Sequence, residues 1–416
     1  MANRTLTADI IAKEAVMILD NELVMAKKVF RGYEEDYTKK INGYEVGDTI
    51  SIRRPADFTV RDGKTADAQD AQEGKTTIVI DKFKGVDFKF TSQDLTLSIK
   101  NISERVIKPA MVQLANQMDV DLHALYKDVP NWVGTPGQTI NSFSDFALGP
   151  QRLDEMAVPK NDRCAVLSPA DHWGLLGNQT SLFSDTIVNP AYRSGQTGRV
   201  AGVDLYSTQN VARHTTGSRS SADAVAQVLI STTVTWAATR DTNTYSLAID
   251  GMAGASDTVL QGDVFTIANC WDVNPVTKQR LSHLKMFTVM ADATATSNAI
   301  AALSISPPPI GAGAHQNCDF GVTDLDNDVV TWVPLTASTQ YDQNMIFHKN
   351  AFSLVSVPLV SPPGAVDVGR RTYKGCSVRV IPIYDGINDE SMWRLDMLYG
   401  VKTVDPRLAV RLSGTA

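Results

Sequence analysis

Apolar positions recur every three to four residues over 7–31. Ile11, Ala15, Ile18, Met25 and Val29 form one row, broken at Glu22, and Leu19, Leu23, Ala26 and Phe30 form a second. Lys13, Asp20 and Lys27 mark the opposite side, and Thr7 is placed to cap the start. The spacing predicts one amphipathic helix, which needs a surface to cover. A second helical row runs through Ile107, Met111, Leu114, Met118, Leu122 and Leu125 and predicts a helix over 103–128. Pro109 fits that helix only in its first turn.

Between these helices the period changes to two. Thr49-Ile50-Ser51-Ile52-Arg53 alternates, and so does Thr77-Ile78-Val79-Ile80-Asp81. Residues 62–76, DGKTADAQDAQEGKT, carry almost no large apolar group. The pattern predicts a long β-hairpin with a solvated polar tip. Residues 82–90 alternate again and offer Phe83, Val86, Phe88 and Phe90 for packing.

From 142 to 225 helical and strand patterns alternate: a helix at 143–156, a buried strand at 163–167, a helix from Ser168 towards Leu176, and turn and strand at 199–206. This is the signature of a mixed α+β domain. Residues 226–345 are rich in Thr, Ala and Asp and lack helical periodicity. Short β-like runs recur at 228–234, 245–249, 264–268, 285–290 and 329–333. They predict a small barrel or sandwich. Strand patterns then resume at 352–357, 377–383 and 393–401.

Charge sharpens this division. The chain has 416 residues and a formal net charge of −7. Residues 226–345 hold four Lys+Arg against eleven Asp and no Glu, a deficit equal to the whole net charge. The remainder balances, so the β-like block is expected to be an inserted module with its own composition. The length exceeds one typical domain, and 43% hydrophobic residues suffice for a sizeable core. No apolar run reaches the ~18–20 residues of a membrane span. No signal-peptide pattern follows Met1, so the expectation is assembly in the cytoplasm.

Candidate chemistry is sparse. The four cysteines, Cys164, Cys270, Cys318 and Cys376, form no CxxC pair and are expected as buried free thiols. No GxSxG, HExxH or Walker pattern occurs, and the six histidines are scattered. Asp324, Asp326 and Asp328 match the first three ligands of a calcium loop. Val329 and Leu335 stand where that loop needs Gly and Glu, so the run reads as an acidic turn. Basic residues form isolated pairs (Lys39-Lys40, Arg53-Arg54, Arg370-Arg371), which argues against sequence-specific DNA binding. No cofactor and no catalytic residue is expected.

Local segments add a resemblance. Ile107-Lys108-Pro109-Ala110 with Asp119-Val120-Asp121-Leu122, Arg199-Val200-Ala201-Gly202-Val203-Asp204, Phe347-His348-Lys349-Asn350-Ala351-Phe352, and Leu398-Tyr399-Gly400-Val401 with Asp405-Pro406-Arg407-Leu408-Ala409 stand in order along the chain. In that order the chain resembles tailed-bacteriophage major capsid proteins of the HK97-type fold, in the P22 coat-protein-like branch with an inserted β-barrel domain. The resemblance implies an α+β HK97-type capsid fold with an inserted all-β barrel-like domain. It implies an N-terminal arm at 1–36, an E-loop and adjoining peripheral-domain strand at 37–92, and a spine helix at 93–140. The axial domain's first part would be 141–225, the insertion 226–345, and the returning axial and peripheral parts 346–416. Inter-subunit contacts are expected from Arg61, Asp62, Lys64, Asp70, Glu73 and Lys75 in the hairpin, and from Arg240 and Asp241 in the insertion. Covalent cross-linking through Lys64 or Lys75 is not a property of that branch. The implied role is a non-enzymatic coat protein that assembles as hexamers and pentamers in a virion. Its expected partners are a scaffolding protein, a portal and, non-specifically, packaged DNA, with no membrane. On residues alone, a phage tail or decoration protein and a hydrolase with a β-rich accessory domain remain open.

Overall fold

The computed structural model describes residues 8–33, 49–65, 68–71, 73–91, 103–179, 198–219, 227–229, 234–321, 327–362, 364 and 368–415. The chain is mixed α+β and divides into two compact units.

The first unit takes residues 1–51, 77–123 and 352–402. Its sheet joins Phe352–Ser356, Glu390–Thr403, Cys376–Asp385, Gly369–Tyr373 and Lys82–Thr91. Leu395 sits opposite both Val380 and Val86, so the Glu390–Thr403 strand is paired on two sides. Helix Ala8–Glu22 lies against this sheet and against helix Lys108–His123. Ile11, Ala12, Ala15, Val16 and Leu19 are its buried face. Ile11, Ala15 and Leu19 belong to the two rows read from the sequence, and Ala12 and Val16 do not. Ile18 is only half-buried, and Asp20, expected on the opposite side, is buried. Each large aliphatic side chain so buried contributes about 1.5–3 kcal/mol.

The helix expected over 7–31 stops at Glu22 and is followed by a 3-10 turn at Met25–Lys27. Asp119, buried on the long helix, supplies the reason. Its carboxylate accepts the Val24 N–H at 2.8 Å and the Ala26 N–H at 3.0 Å. These amides are thereby drawn to a carboxylate instead of continuing the helical ladder. Burial pushes the Asp119 carboxyl above its ordinary value, against these backbone donors. The helix expected over 103–128 also has varied pitch: a π turn at Ser103–Ile107, α-helix at Lys108–His123, and a 3-10 turn at Ala124–Asp128. Pro109 occupies the first α turn, where its missing N–H is tolerated.

The second unit takes residues 52–76, 124–351 and 403–416. One sheet runs in the order Trp132–Val133, Ala409–Leu412, Asn344–His348, Arg163–Leu167, Val203–Ser207, Arg199–Val200. Helix Phe143–Glu155 covers it, and Phe146 and Leu153 join Ala165, Leu167, Ile346 and Leu412 in one core. Ser142 caps that helix by accepting the Asp145 N–H at 3.1 Å.

From this sheet the chain makes a β-rich excursion. Its stem is a pair of short antiparallel strands, Arg213–Thr215 with Gln340–Asp342. Beyond the stem, strand pairings run from Arg280–Val289 through Ile300–Ser306, Tyr245–Asp250, Gln227–Leu229 and Asp328–Val333 to Val264–Val273. They then return to Arg280–Val289, while Cys318–Phe320 adds to the Val264–Val273 strand. The pairings therefore close on themselves. Phe265, Phe287, Trp332, Leu247, Leu303 and Ile305 fill the interior, as expected of a small closed sheet. Strand Ile300–Ser306 was not legible in the sequence, because Ala-rich residues and three following prolines mask its alternation. Of the run at 228–234, the structure shows a strand at Gln227–Leu229, and 230–233 lie outside the described residues.

A buried charge network joins the excursion to its flanks. Asp263, fully buried, receives His214 Nε2 at 2.9 Å, Arg219 NH1 at 2.7 Å and the backbone N–H groups of Gly217 and Leu260. Burial alone would push its carboxyl up; the His214 hydrogen bond and the Arg219 charge outweigh this and hold it below its ordinary value. Burial lowers the His214 pKa, so the ring is neutral. With Nε2 donating to Asp263, Nδ1 accepts the Tyr126 hydroxyl at 3.0 Å. Arg411, also fully buried and pushed down to about 10 by burial, donates to the Gly262 carbonyl at 2.8 Å. Its guanidinium lies over the Tyr126 and Trp132 rings.

Candidate assembly surfaces

The hairpin begins at the paired strands Thr49–Arg53 and Lys75–Val79. Past them, among the described residues, the Arg54 N–H donates to the Gly74 carbonyl and side chains link the two sides further out. Thr59 and Gln69 clasp each other: the Thr59 N–H donates to Gln69 Oε1 at 2.9 Å, and Gln69 Nε2 donates to the Thr59 carbonyl at 2.6 Å. Arg61 folds back on the turn and donates to the carbonyls of Gly63 and Thr65. Asp62, Lys64 and Asp70 are exposed. Glu73 pairs with Arg53 at 3.2 Å across the hairpin, and Lys75 opens the return strand with its side chain exposed.

Two features differ from the expected solvated tip over 62–76. Gly74 and Thr76 are buried while Lys75 between them stays exposed, so continuous solvation ends at Glu73. Just before the tip, Phe58 is 57% exposed and Val60 is 99% exposed. They stand in a short alternating run, Ala56 to Arg61, which does not by itself tell whether its apolar side is covered. An apolar pair held bare by a hydrogen-bonded polar clasp is suited to meeting another surface.

The excursion contributes Arg240 and Asp241, exposed just beyond the short helix Trp236–Thr239, with Nε and Oδ2 3.8 Å apart. The structure brings this helix against the hairpin of the same chain. A Cβ added at Gly74 would stand 2.7 Å from the Arg240 carbonyl oxygen and 3.2 Å from the Trp236 ring. The two sets of contact candidates, unconnected in sequence, thus adjoin. In the first unit, the turn between Cys376–Asp385 and Glu390–Thr403 presents Tyr384 and Ile387, the latter 94% exposed.

Of the acidic run, Asp324 and Asp326 lie outside the described residues. Asp328 accepts from Asn269 Nδ2 at 2.8 Å. Among the described residues, no group of three His, Cys, Asp or Glu side chains is arranged to hold a metal ion. The four cysteines are buried and not joined in disulfides. No helix among the described residues is long and apolar enough to cross a membrane.

Comparison with known proteins identifies the chain. The family model "P22 coat protein - gene protein 5" matches residues 1–414. A protein described as "Major capsid protein", from Acyrthosiphon pisum secondary endosymbiont phage 1, is 22% identical over 424 residues, covering 98% of this chain and 97% of that one. Among solved structures, Mycobacterium phage Che8 aligns with a TM-score of 0.49 at 14% identity, covering 94% of this chain and 90% of the other. The asymmetric unit of the bacteriophage PhiM1 mature capsid aligns with a TM-score of 0.40 at 12% identity, covering 89% and 82%. The chain belongs to the P22 coat protein family and is a major capsid protein, working in many copies as part of the virion.

Proposed function

We propose that the hairpin over 52–76 is the principal arm by which one copy of the subunit grips the next in the shell. The observation that carries this reading is the bare Phe58–Val60 pair beside a clasped polar tip. Phe58 and Val60 supply apolar area that is buried only in the assembly. Arg61, Asp62, Lys64, Asp70 and Glu73 supply the polar rim around it. An isolated two-stranded hairpin is marginal in water, so its far end is stabilised by a neighbour. Arg240 and Asp241 contribute from the excursion, at the contact between capsomers. The turn bearing Tyr384 and Ile387 is a further contact of the first unit.

The division proposed with it runs through an arm (1–36), the E-loop and adjoining peripheral-domain strand (37–92), the spine helix and peripheral domain (93–140), the first axial part (141–225), the insertion (226–345), and the second axial part with the peripheral-domain C-terminal strand (346–416). Shell geometry calls for ring-closing heterologous contacts, hence hexamers and pentamers of one chain. A scaffolding protein, a portal and packaged DNA, attracted without sequence preference, complete the set of partners.

Electron microscopy of the purified full-length chain, alone and with a scaffolding protein, tests the reading. Closed shells from the wild type, and their loss in a Phe58→Ser/Val60→Ser variant that stays folded, support it. Shells of normal yield from the double variant overturn the role of the arm.

A further inference from the structure

The root of the hairpin raises a separate question, because the ladder between Thr49–Arg53 and Lys75–Val79 is only five residues deep on each strand. Twenty-one further residues, 54–74, extend beyond it. So short a ladder does not fix the direction of the segment it carries. The structure supplies other fixings, and most come from the excursion.

The first is flush packing at Gly74. The Arg240 carbonyl and the Trp236 ring occupy the space a side chain would need there, so the return strand lies directly on helix Trp236–Thr239. The second is a relay across the helix. The Trp236 ring stacks on His315, with centroids 3.9 Å apart and planes 16° from parallel. His315 Nδ1 lies 3.3 Å from Asp57 Oδ2 on the outgoing side of the hairpin. The third is a cationic brace: Arg407 forks onto Asp405, with NH2 2.8 Å from Oδ2, and its NH1 comes within 3.9 Å of Asp57. Arg54 closes the root by donating its backbone N–H to the Gly74 carbonyl and Nε to Thr76 Oγ1, both at 2.7 Å. These groups surround a cavity of about 70 Å³, which Lys278 and Asn317 also line. Burial lowers the His315 pKa against the pull of Asp57, whose carboxylate stands beside Nδ1.

We propose that the excursion acts as a splint for the hairpin within each subunit, with Asp57 as the positioning residue that His315, Trp236 and Arg407 hold in place. This rests on the reading of the hairpin as an assembly arm and gives the excursion a task inside its own subunit, before any contact with a neighbour. An arm held in its docking direction loses less conformational freedom when it meets the next copy. The splint therefore speeds assembly without adding a contact to the interface.

Amide hydrogen exchange over 55–61 in the intact, unassembled subunit tests the splint, followed by the rate of shell formation from the same material. Asp57→Asn and His315→Gln should each raise exchange in that segment about tenfold, the cost of one lost polar contact to a carboxylate. The double variant should exceed neither single by much, because both break one link. Asp57→Glu should restore part of the protection. Each single variant should also slow shell formation. If His315→Gln lowers the melting temperature of the whole subunit, Asp57→Asn carries the test, since its carboxylate is already 35% exposed. Unchanged exchange in Asp57→Asn, or single effects that sum in the double variant, would overturn the link. Raised exchange with shells forming at the wild-type rate would overturn its role in assembly. Failure of the wild type itself to form shells counts against the arm reading, while the exchange data still decide the splint.

Discussion

The joint around Asp263 and the tip of the 52–76 hairpin are both built from charged and polar side chains, and they use them in opposite ways. At the joint, Asp263, Arg219 and Arg411 are fully removed from water, and partners far along the chain satisfy the Asp263 carboxylate. At the tip, Arg61, Asp62, Lys64 and Asp70 stay in water, and the bonds are local: Arg61 reaches two and four residues ahead, Thr59 reaches ten. Buried charges hold a single arrangement, since losing one partner strands another. Solvated charges cost little to rearrange and leave the tip free to adapt to a neighbour. One polar composition thus serves rigidity in one region and availability in the other.

The contrast breaks first at the joint. Asp263→Ala leaves Arg219 and His214 buried without their anion, and should cost about 3–5 kcal/mol of subunit stability by urea denaturation. A loss below about 1 kcal/mol would mean that water reaches the site. Asp119→Ala should cost about 2–3 kcal/mol, because two backbone N–H groups lose a charged acceptor. Its readout should include loss of protection at Val24 and Ala26, which a generic core defect would not single out.

His123 sharpens the same point through pH. It is fully buried at the end of Lys108–His123, neither ring nitrogen has a hydrogen-bond partner among the described residues, and burial lowers its pKa to about 4. The unfolded chain binds a proton near pH 6.5 and the folded one does not. The neutral ring's contribution is therefore complete above pH 6.5 and is lost as pH falls towards 4. Between pH 7 and pH 5 it should account for about 2 kcal/mol of lost stability. His123→Phe should flatten the pH profile by that amount. At the other extreme, Glu73→Gln breaks an exposed pair with Arg53 and should leave the melting temperature of the subunit unmoved.

The comparison also explains what the sequence could and could not disclose. Rows such as Leu19–Leu23–Ala26 and alternations such as 49–53 are local, and the structure buries the first and pairs the second as read. The stop at Glu22 was hidden because its cause, Asp119, lies 95 residues from Val24. The excursion was visible as a block with its own charge balance, but not the joint that seats it. His214 and Arg219 precede the acidic block, and Arg411 follows it. A fragment 226–345 therefore lacks the partners of its own Asp263, and a fragment that keeps 213–342 should be the more stable of the two. At the hairpin, charged candidates were legible from composition. Phe58 and Val60 stand in a short alternating run whose exposure the pattern does not reveal, and the Asp57–His315–Trp236 relay joins residues far apart in sequence. Gly74 gave no signal beyond its lack of a side chain, and that lack is what lets the Trp236 helix approach.

The central claim is that the tip is dispensable to the subunit and required by the shell. Replacing residues 62–71 with a short Gly-Asn turn, and comparing melting temperature and shell yield with those of the wild type, tests it most directly. The prediction is an unchanged melting temperature with few or no closed shells by electron microscopy. Closed shells at wild-type yield, or a subunit that no longer melts cooperatively, would contradict it.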